Sequence, residues 1–173
     1  MPMCDVYIPE DALEPQAERD LLRRVTDLLL EHEGADPRNE QARSIAWLFV
    51  HRPEVYAAGE PTQAPHYRFV CQVPEGQYDD ERRQAVTADM TQAVVDAEAG
   101  RWPNPQARVW VFTYEVPDGT WGGLGRVVRL PDIAGFVAGD EARERAEQRL
   151  AERRRSQAQE LLAAAGTESL ASA

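Results

Sequence analysis

Pro2-Met-Cys-Asp-Val-Tyr-Ile8-Pro9-Glu10 and, 65 residues later, Tyr67-Arg-Phe-Val-Cys-Gln-Val73-Pro74-Glu75 read as two copies of one strand. Each is a short apolar run with β-branched residues, closed by a proline that has no N–H for a ladder. A helix-spaced stripe follows each copy. In the first half it is Leu21, Leu22, Val25, Leu28 and Leu29, opened by Pro15 and stopped by Gly34 with Asp36-Pro37. In the second it is Val86, Met90, Ala93 and Val94, each 65 positions after its counterpart. A second strand then closes each half: Ser44–Val50 before Pro53, and Arg108–Tyr114 before Pro117. Two β-α-β units, about 2–56 and 67–117, predict an α+β fold: one four-stranded sheet with two helices on one face. The other face carries Trp47, Phe49, Trp110 and Phe112. Two helices cannot cover both faces, so oligomerisation is expected.

The remainder differs. Gly119-Thr-Trp-Gly-Gly-Leu-Gly-Arg126 is glycine-rich, followed by a short strand at Val127, Val128 and Leu130 and then by Pro131. It lacks G-x-G-x-x-G spacing and is not expected to lead into a helix, so it gives no support to a nucleotide site. The domain organisation read this way is 1–135 for the sheet domain and 136–173 for a charged helical tail. From Asp140 to about Ala165 the chain is rich in Ala, Glu, Arg and Gln. Leu150, Leu161 and Leu162 are too sparse for a coiled coil. The tail reads as a solvated helix that frays over Gly166–Ala173, with an arm clasping a trimer as the alternative.

Composition narrows the function. The 173 residues hold 30 Asp and Glu against 19 Lys and Arg, a net charge of −11. That balance repels phosphate, so neither nucleic acid nor an anionic membrane is an expected partner. All 19 basic residues are arginine, which removes the P-loop lysine, the lysine Schiff base and a pyridoxal-holding lysine. Cys4 and Cys71 make no disulfide framework, and His32, His51 and His66 lack metal-ligand spacing, so no metal or organic cofactor is expected. No run reaches membrane-spanning length and the N-terminus lacks a signal peptide's pattern, which predicts a cytoplasmic protein.

With no lysine, the one source of a neutral amine is the N-terminus. Methionine is commonly removed before a small residue, which would expose the secondary amine of Pro2. An α-amino group titrates near 7.7–8. Burial or a nearby arginine lowers that value, giving a base poised for neutral pH. Arg52, Arg108 and Arg126, at strand ends or in the glycine loop, and Arg68 inside a strand are candidates for a carboxylate, with surface ion pairs as their plainer role. His51 could move a proton, Tyr114 and Phe112 share a strand face, and Trp121 could lie over a pocket.

An N-terminal proline on the first strand of a tandem β-α-β chain resembles the tautomerase superfamily. Within it, the chain is similar to the cis-3-chloroacrylic acid dehalogenase and malonate semialdehyde decarboxylase groups. Pro2-x-x-x-Val6-Tyr7 and Val109-Trp-Val-Phe-Thr-Tyr-Glu-Val-Pro117 followed by Gly125-Arg126 look like the first group; His51-Arg52-Pro53 and Trp121 with Gly125-Arg126 look like the second. The resemblance covers roughly 2–135 and implies a homotrimer with Pro2 at the floor of each pocket. It also departs: the dehalogenase's water-activating glutamate falls on Gly123, its tyrosine on Phe112 and its helix histidine near Leu29. The two-arginine clamp falls around Pro74, Glu75 and Gln77, and the decarboxylase's aspartate near Arg43. The expectation is a cofactor-independent tautomerase acting on a small 2-oxo or unsaturated carboxylic acid. Pro2 would be catalytic, and Arg126, Arg52, His51, Trp121, Phe112 and Tyr114 would bind substrate. The alternatives are a hydratase, dehalogenase or decarboxylase with protonated Pro2 as general acid, and a non-catalytic trimeric binding protein.

Overall fold

β1 (Met3–Tyr7) leads into α1 (Pro15–Glu33), a short α2 (Glu40–Ser44) and β2 (Trp47–His51). A hairpin of β3 (Tyr56–Ala57) and β4 (Glu60–Pro61) precedes β5 (Tyr67–Pro74), α3 (Asp80–Glu98) and β6 (Val109–Val116). This computed structural model describes residues 2–171, with side chains to Ala165. The chain divides into two compact units, Met1–Pro117 and Asp118–Ala173.

In the first unit the sheet order is β2-β1-β5-β6, with β1–β2 and β5–β6 parallel and β1–β5 antiparallel. The duplicated unit is therefore two parallel pairs joined back to back. The predicted stripes are the buried ones. Leu21, Val25, Leu28 and Leu29 of α1 and Val86, Met90, Ala93 and Val94 of α3 pack on Cys4, Val6, Ile8, Phe69, Cys71 and Val73. α1 starts on Pro15 and ends on Gly34, whose φ of +81° lets its N–H and that of Ala35 reach the Glu31 and Leu30 carbonyls. Asp79 caps α3 by accepting from the Arg82 N–H at 2.8 Å. His32 bonds Asp89 at 2.9 Å, tying α1 to α3. Arg108 is not at the surface: it forms a pair with Glu98 that is almost wholly buried, and also donates to the Pro65 and Pro103 carbonyls.

Two strand assignments are corrected. Ser44, Ile45 and Ala46 are not strand, because Asn39 accepts from the Ala42 N–H and caps α2; the strand begins at Trp47. Leu130 is not strand either. In the second unit β7 (Gly122–Gly123) pairs with β8 (Arg126–Val127), and α4 (Leu130–Ala138) follows, then α5 (Asp140–Ala171). The glycine-rich loop thus leads through a hairpin into a helix, against expectation. Pro131, read as a terminator, sits in the first turn of α4, where a missing N–H costs nothing. Leu130, Ala146 and Leu150 form this unit's small core. The nearly buried Asp118 carboxylate anchors it, accepting from the Leu130 N–H (3.0 Å), Arg129 (2.7 Å) and Arg154 (3.4 Å). The fraying expected over Gly166–Ala173 lies outside the described side chains. No helix among the described residues is long and apolar enough to cross a membrane.

Candidate active site

Pro2 is buried, and its carbonyl accepts from the Trp47 N–H at 3.2 Å, so the residue continues the β1–β2 ladder by one step. A strand end held in this way fixes the proline nitrogen far better than a loose terminus would. The partner of Met3 on β5 is Gln72, so one step outward Pro2 lies against the Val73–Pro74 end of β5. Strand alternation sends Pro2 to the helix side with Cys4. The Cys4 and Cys71 sulfurs are 3.6 Å apart and buried as free thiols. The hydrogen bond with Cys71, then burial, holds the Cys4 thiol well above its ordinary pKa, so Cys4 supplies no ready thiolate.

One residue here escaped the sequence reading, and Gln77 beside it entered only as a position where the family's clamp is missing. Tyr78 follows β5 and packs its ring in the core. Burial, then the nearby Glu33, Cys71 and Cys4, push its phenol far up, so it stays protonated and can only act as a neutral hydroxyl. Gln77 precedes it, also buried. The turn is fixed from three sides: the Gln77 N–H reaches the Pro74 carbonyl at 3.3 Å, Arg82 donates to the Gln77 carbonyl at 2.9 Å, and the Tyr78 N–H donates to the Glu115 carboxylate at 2.9 Å. Glu115 also meets Arg83 at 3.5 Å. The one available signal was a polar pair, Gln77-Tyr78, placed directly after a buried strand.

The open face of the sheet is set by register. Its rows run Trp47–Met3–Gln72–Tyr114, then Phe49–Asp5–Val70–Phe112, then His51–Tyr7–Arg68–Trp110. Tyr114 therefore stands in the row nearest Pro2 but on the opposite face of the sheet within one protomer. Phe112 lies in the middle row, under the Arg68 guanidinium, which sits 5.0 Å from its ring centre and 5.2 Å from that of Tyr7. His51 falls in the far row, stacked on Tyr7 and bonded to Asp5 at 2.7 Å. Arg52 lies beyond it, held by both Glu18 oxygens and reaching the Ile8 carbonyl. Within one protomer, Pro2 and the His51–Arg52 pair are thus at opposite ends of β1, roughly 17 Å apart along the strand. Trp121 and Arg126 belong to the second unit. Arg126 pairs with Asp132 at 3.6 Å, and the buried Trp121 Nε1 has no hydrogen-bond partner among the described residues. Among the described residues there is no group of three or more His, Cys, Asp or Glu that could hold a metal ion.

No protein-family model matches the chain, and no curated protein sequence matches it. Solved structures do. Pt0534 inactivated by 2-oxo-3-pentynoate aligns with a TM-score of 0.59 at 20% identity, over 72% of this chain and 94% of that one. The F6 fused 4-OT wild-type asymmetric trimer gives 0.58 at 15%, over 72% and 94%. N1, a member of the cis-3-chloroacrylic acid dehalogenase family, gives 0.58 at 15%, over 73% and 82%. The fold is that of the tautomerase superfamily.

Proposed function

We propose that the mature chain, after loss of Met1, is a cofactor-independent tautomerase in which the Pro2 amine moves a proton between oxygen and carbon of a small 2-oxo acid. The observation that carries this is the burial of Pro2 at the start of a laddered strand. Burial disfavours the ammonium form, so the nitrogen is a neutral base near pH 7. The amine takes the enol O–H proton, the electron pair shifts toward the α-carbon, and the ammonium returns the proton there. No net atom or electron is exchanged. The structural neighbour inactivated by a 2-oxo acid supports this substrate class.

The second part of the reading is a homotrimer, supported by two observations. The aromatic face of the sheet stands open, with Trp47 54% and Trp110 63% exposed. The fused 4-OT neighbours are described as trimers. Closing three such faces on one another would remove the apolar patch from water.

The test is turnover of the phenylpyruvate enol by protein verified by mass to lack Met1. Pro2→Ala should lower kcat/KM by roughly 100- to 10,000-fold, the range of a general base. Turnover equal to wild type in that variant contradicts the reading. The pH profile separates base from acid: a neutral amine loses activity as pH falls through its pKa, whereas a general acid loses it as pH rises.

A further inference from the structure

Cys4 and Cys71 are the chain's two cysteines, and they meet. They are direct partners in the antiparallel β1–β5 register, with sulfurs 3.6 Å apart in residues 1% and 0% exposed. The chemistry proposed for Pro2 uses neither. We propose that Cys4 and Cys71 are a reversible redox lock: a peroxide joins them in a disulfide that ties the two β-α-β halves together, and a dithiol reductant restores the thiol pair. This inference does not depend on the role of Pro2.

The placement is what such a lock needs. Directly opposed residues on antiparallel strands have Cα atoms about 4.5–5.5 Å apart, inside the roughly 4.4–6.8 Å that a disulfide spans. The sulfurs are already in contact, so bonding asks for side-chain closure and no change of register. In the four-stranded sheet, β1–β5 is the antiparallel pairing and the seam between the halves; β1–β2 and β5–β6 are parallel pairs within them. A bond across that seam joins residues 67 apart in sequence, a long loop whose closure restricts the unfolded chain strongly.

The internal duplication does not account for the pair. At the 65-residue offset Cys4 corresponds to Phe69 and Cys71 to Val6, and Val6 and Phe69 are themselves partners on the same ladder. Of two related positions on the seam, one is filled by apolar side chains and the other by two thiols. Packing alone therefore does not call for two sulfurs, although a buried cysteine can serve as a small apolar residue.

The chemistry balances with a peroxide as oxidant. Hydrogen peroxide converts one thiol to a sulfenic acid and releases water. The second sulfur attacks the first, the S–O bond breaks, and a second water leaves. Each sulfur gives up one electron and the peroxide takes both. Burial and the raised Cys4 pKa keep thiolate scarce, so the lock responds to sustained oxidation and ignores brief exposure.

The experiment treats reduced full-length protein with hydrogen peroxide at neutral pH, with and without urea below the unfolding midpoint. Alkylation after denaturation then counts free thiols, and peptide mass mapping locates any bond. The expected result is loss of both thiols, a linked Cys4–Cys71 peptide, a chain lighter by two hydrogens, and full recovery with dithiothreitol. Urea should speed the reaction, because opening the seam admits the oxidant. Oxidised wild type should melt about 10 °C higher than reduced, and peroxide should not raise the melting temperature of Cys71→Ala. Thiols that survive both conditions overturn the inference. So do sulfinic or sulfonic products, or cross-links between copies, in place of the internal bond. An internal disulfide that leaves the melting temperature unchanged or lowers it overturns the lock as well, as does an equal rise in Cys71→Ala.

Discussion

Arg108 and Asp118 look alike in sequence, each a charged residue beside a strand end, yet the structure uses them in separate ways. Arg108 is sealed against Glu98 with its remaining donors on two carbonyls. Removing one partner leaves the other charge buried and alone. Arg108→Met should therefore cost about 3–5 kcal/mol in urea unfolding, and a loss below 1 kcal/mol would contradict the burial. Asp118 works through pH. Desolvation raises its pKa, but the Leu130 amide, Arg129 and Arg154 outweigh that and leave it below the ordinary carboxylate value. A depressed folded pKa means the contribution is complete above the unfolded value, near 3.9, and fades as pH falls through the folded one. Acidification from pH 5 to pH 2.5, followed by circular dichroism at the α-helical bands, should thus weaken the wild type more steeply than Asp118→Asn. Equal slopes would contradict this role.

At the scale of elements, the helix ends offer a cleaner test. Gly34 holds φ at +81° with open space where a Cβ would stand. Gly34→Ala should cost only the backbone term, about 1 kcal/mol, read from the urea midpoint; a loss above 3 kcal/mol would mean a clash that the geometry does not contain. The same elements show why some of the fold was legible and some was not. α1 and α3 could be read because Leu21, Val25, Leu28 and Leu29 and their counterparts repeat at helical spacing and all meet one core. α2 was hidden because five residues are too few for periodicity and its start depends on one Asn39 cap. The β3–β4 hairpin was hidden because Ala58 and Gly59 both take positive φ, a turn in which alanine is uncommon. α4 was misread because a proline both stops strands and starts helices, and the choice depends on Asp118 accepting the Leu130 N–H from twelve residues away. In the candidate site, Pro2 stands out in a chain without lysine, but it was the resemblance carried by the tandem β-α-β pattern that made it a catalytic candidate. Tyr78 was not singled out, because a tyrosine just after a strand gains weight only when its ring proves buried in the core.

For the whole molecule the open aromatic face is the governing feature. Its three rows put Trp47, Phe49, Trp110, Phe112 and Tyr114 on one side of a single sheet, with the Arg68 cation held among the rings. Light scattering after gel filtration should give three times the 19.4 kDa chain mass. Trp110→Glu should shift the population to monomer while circular dichroism stays unchanged. A monomeric wild type would contradict the trimer, and a Trp110→Glu protein that remains trimeric would move the contact off this face.

The central claim is that the nitrogen opening the first strand is a neutral base in a water-poor setting. The most direct measurement is an NMR titration of nitrogen-15-labelled Pro2 in protein whose mass shows that Met1 is gone. The account predicts a titration midpoint below the ordinary α-amino range of about 7.7–8, matched by the acid limb of the pH–rate profile. A midpoint at or above that range, with the ammonium dominant at pH 7, would contradict it.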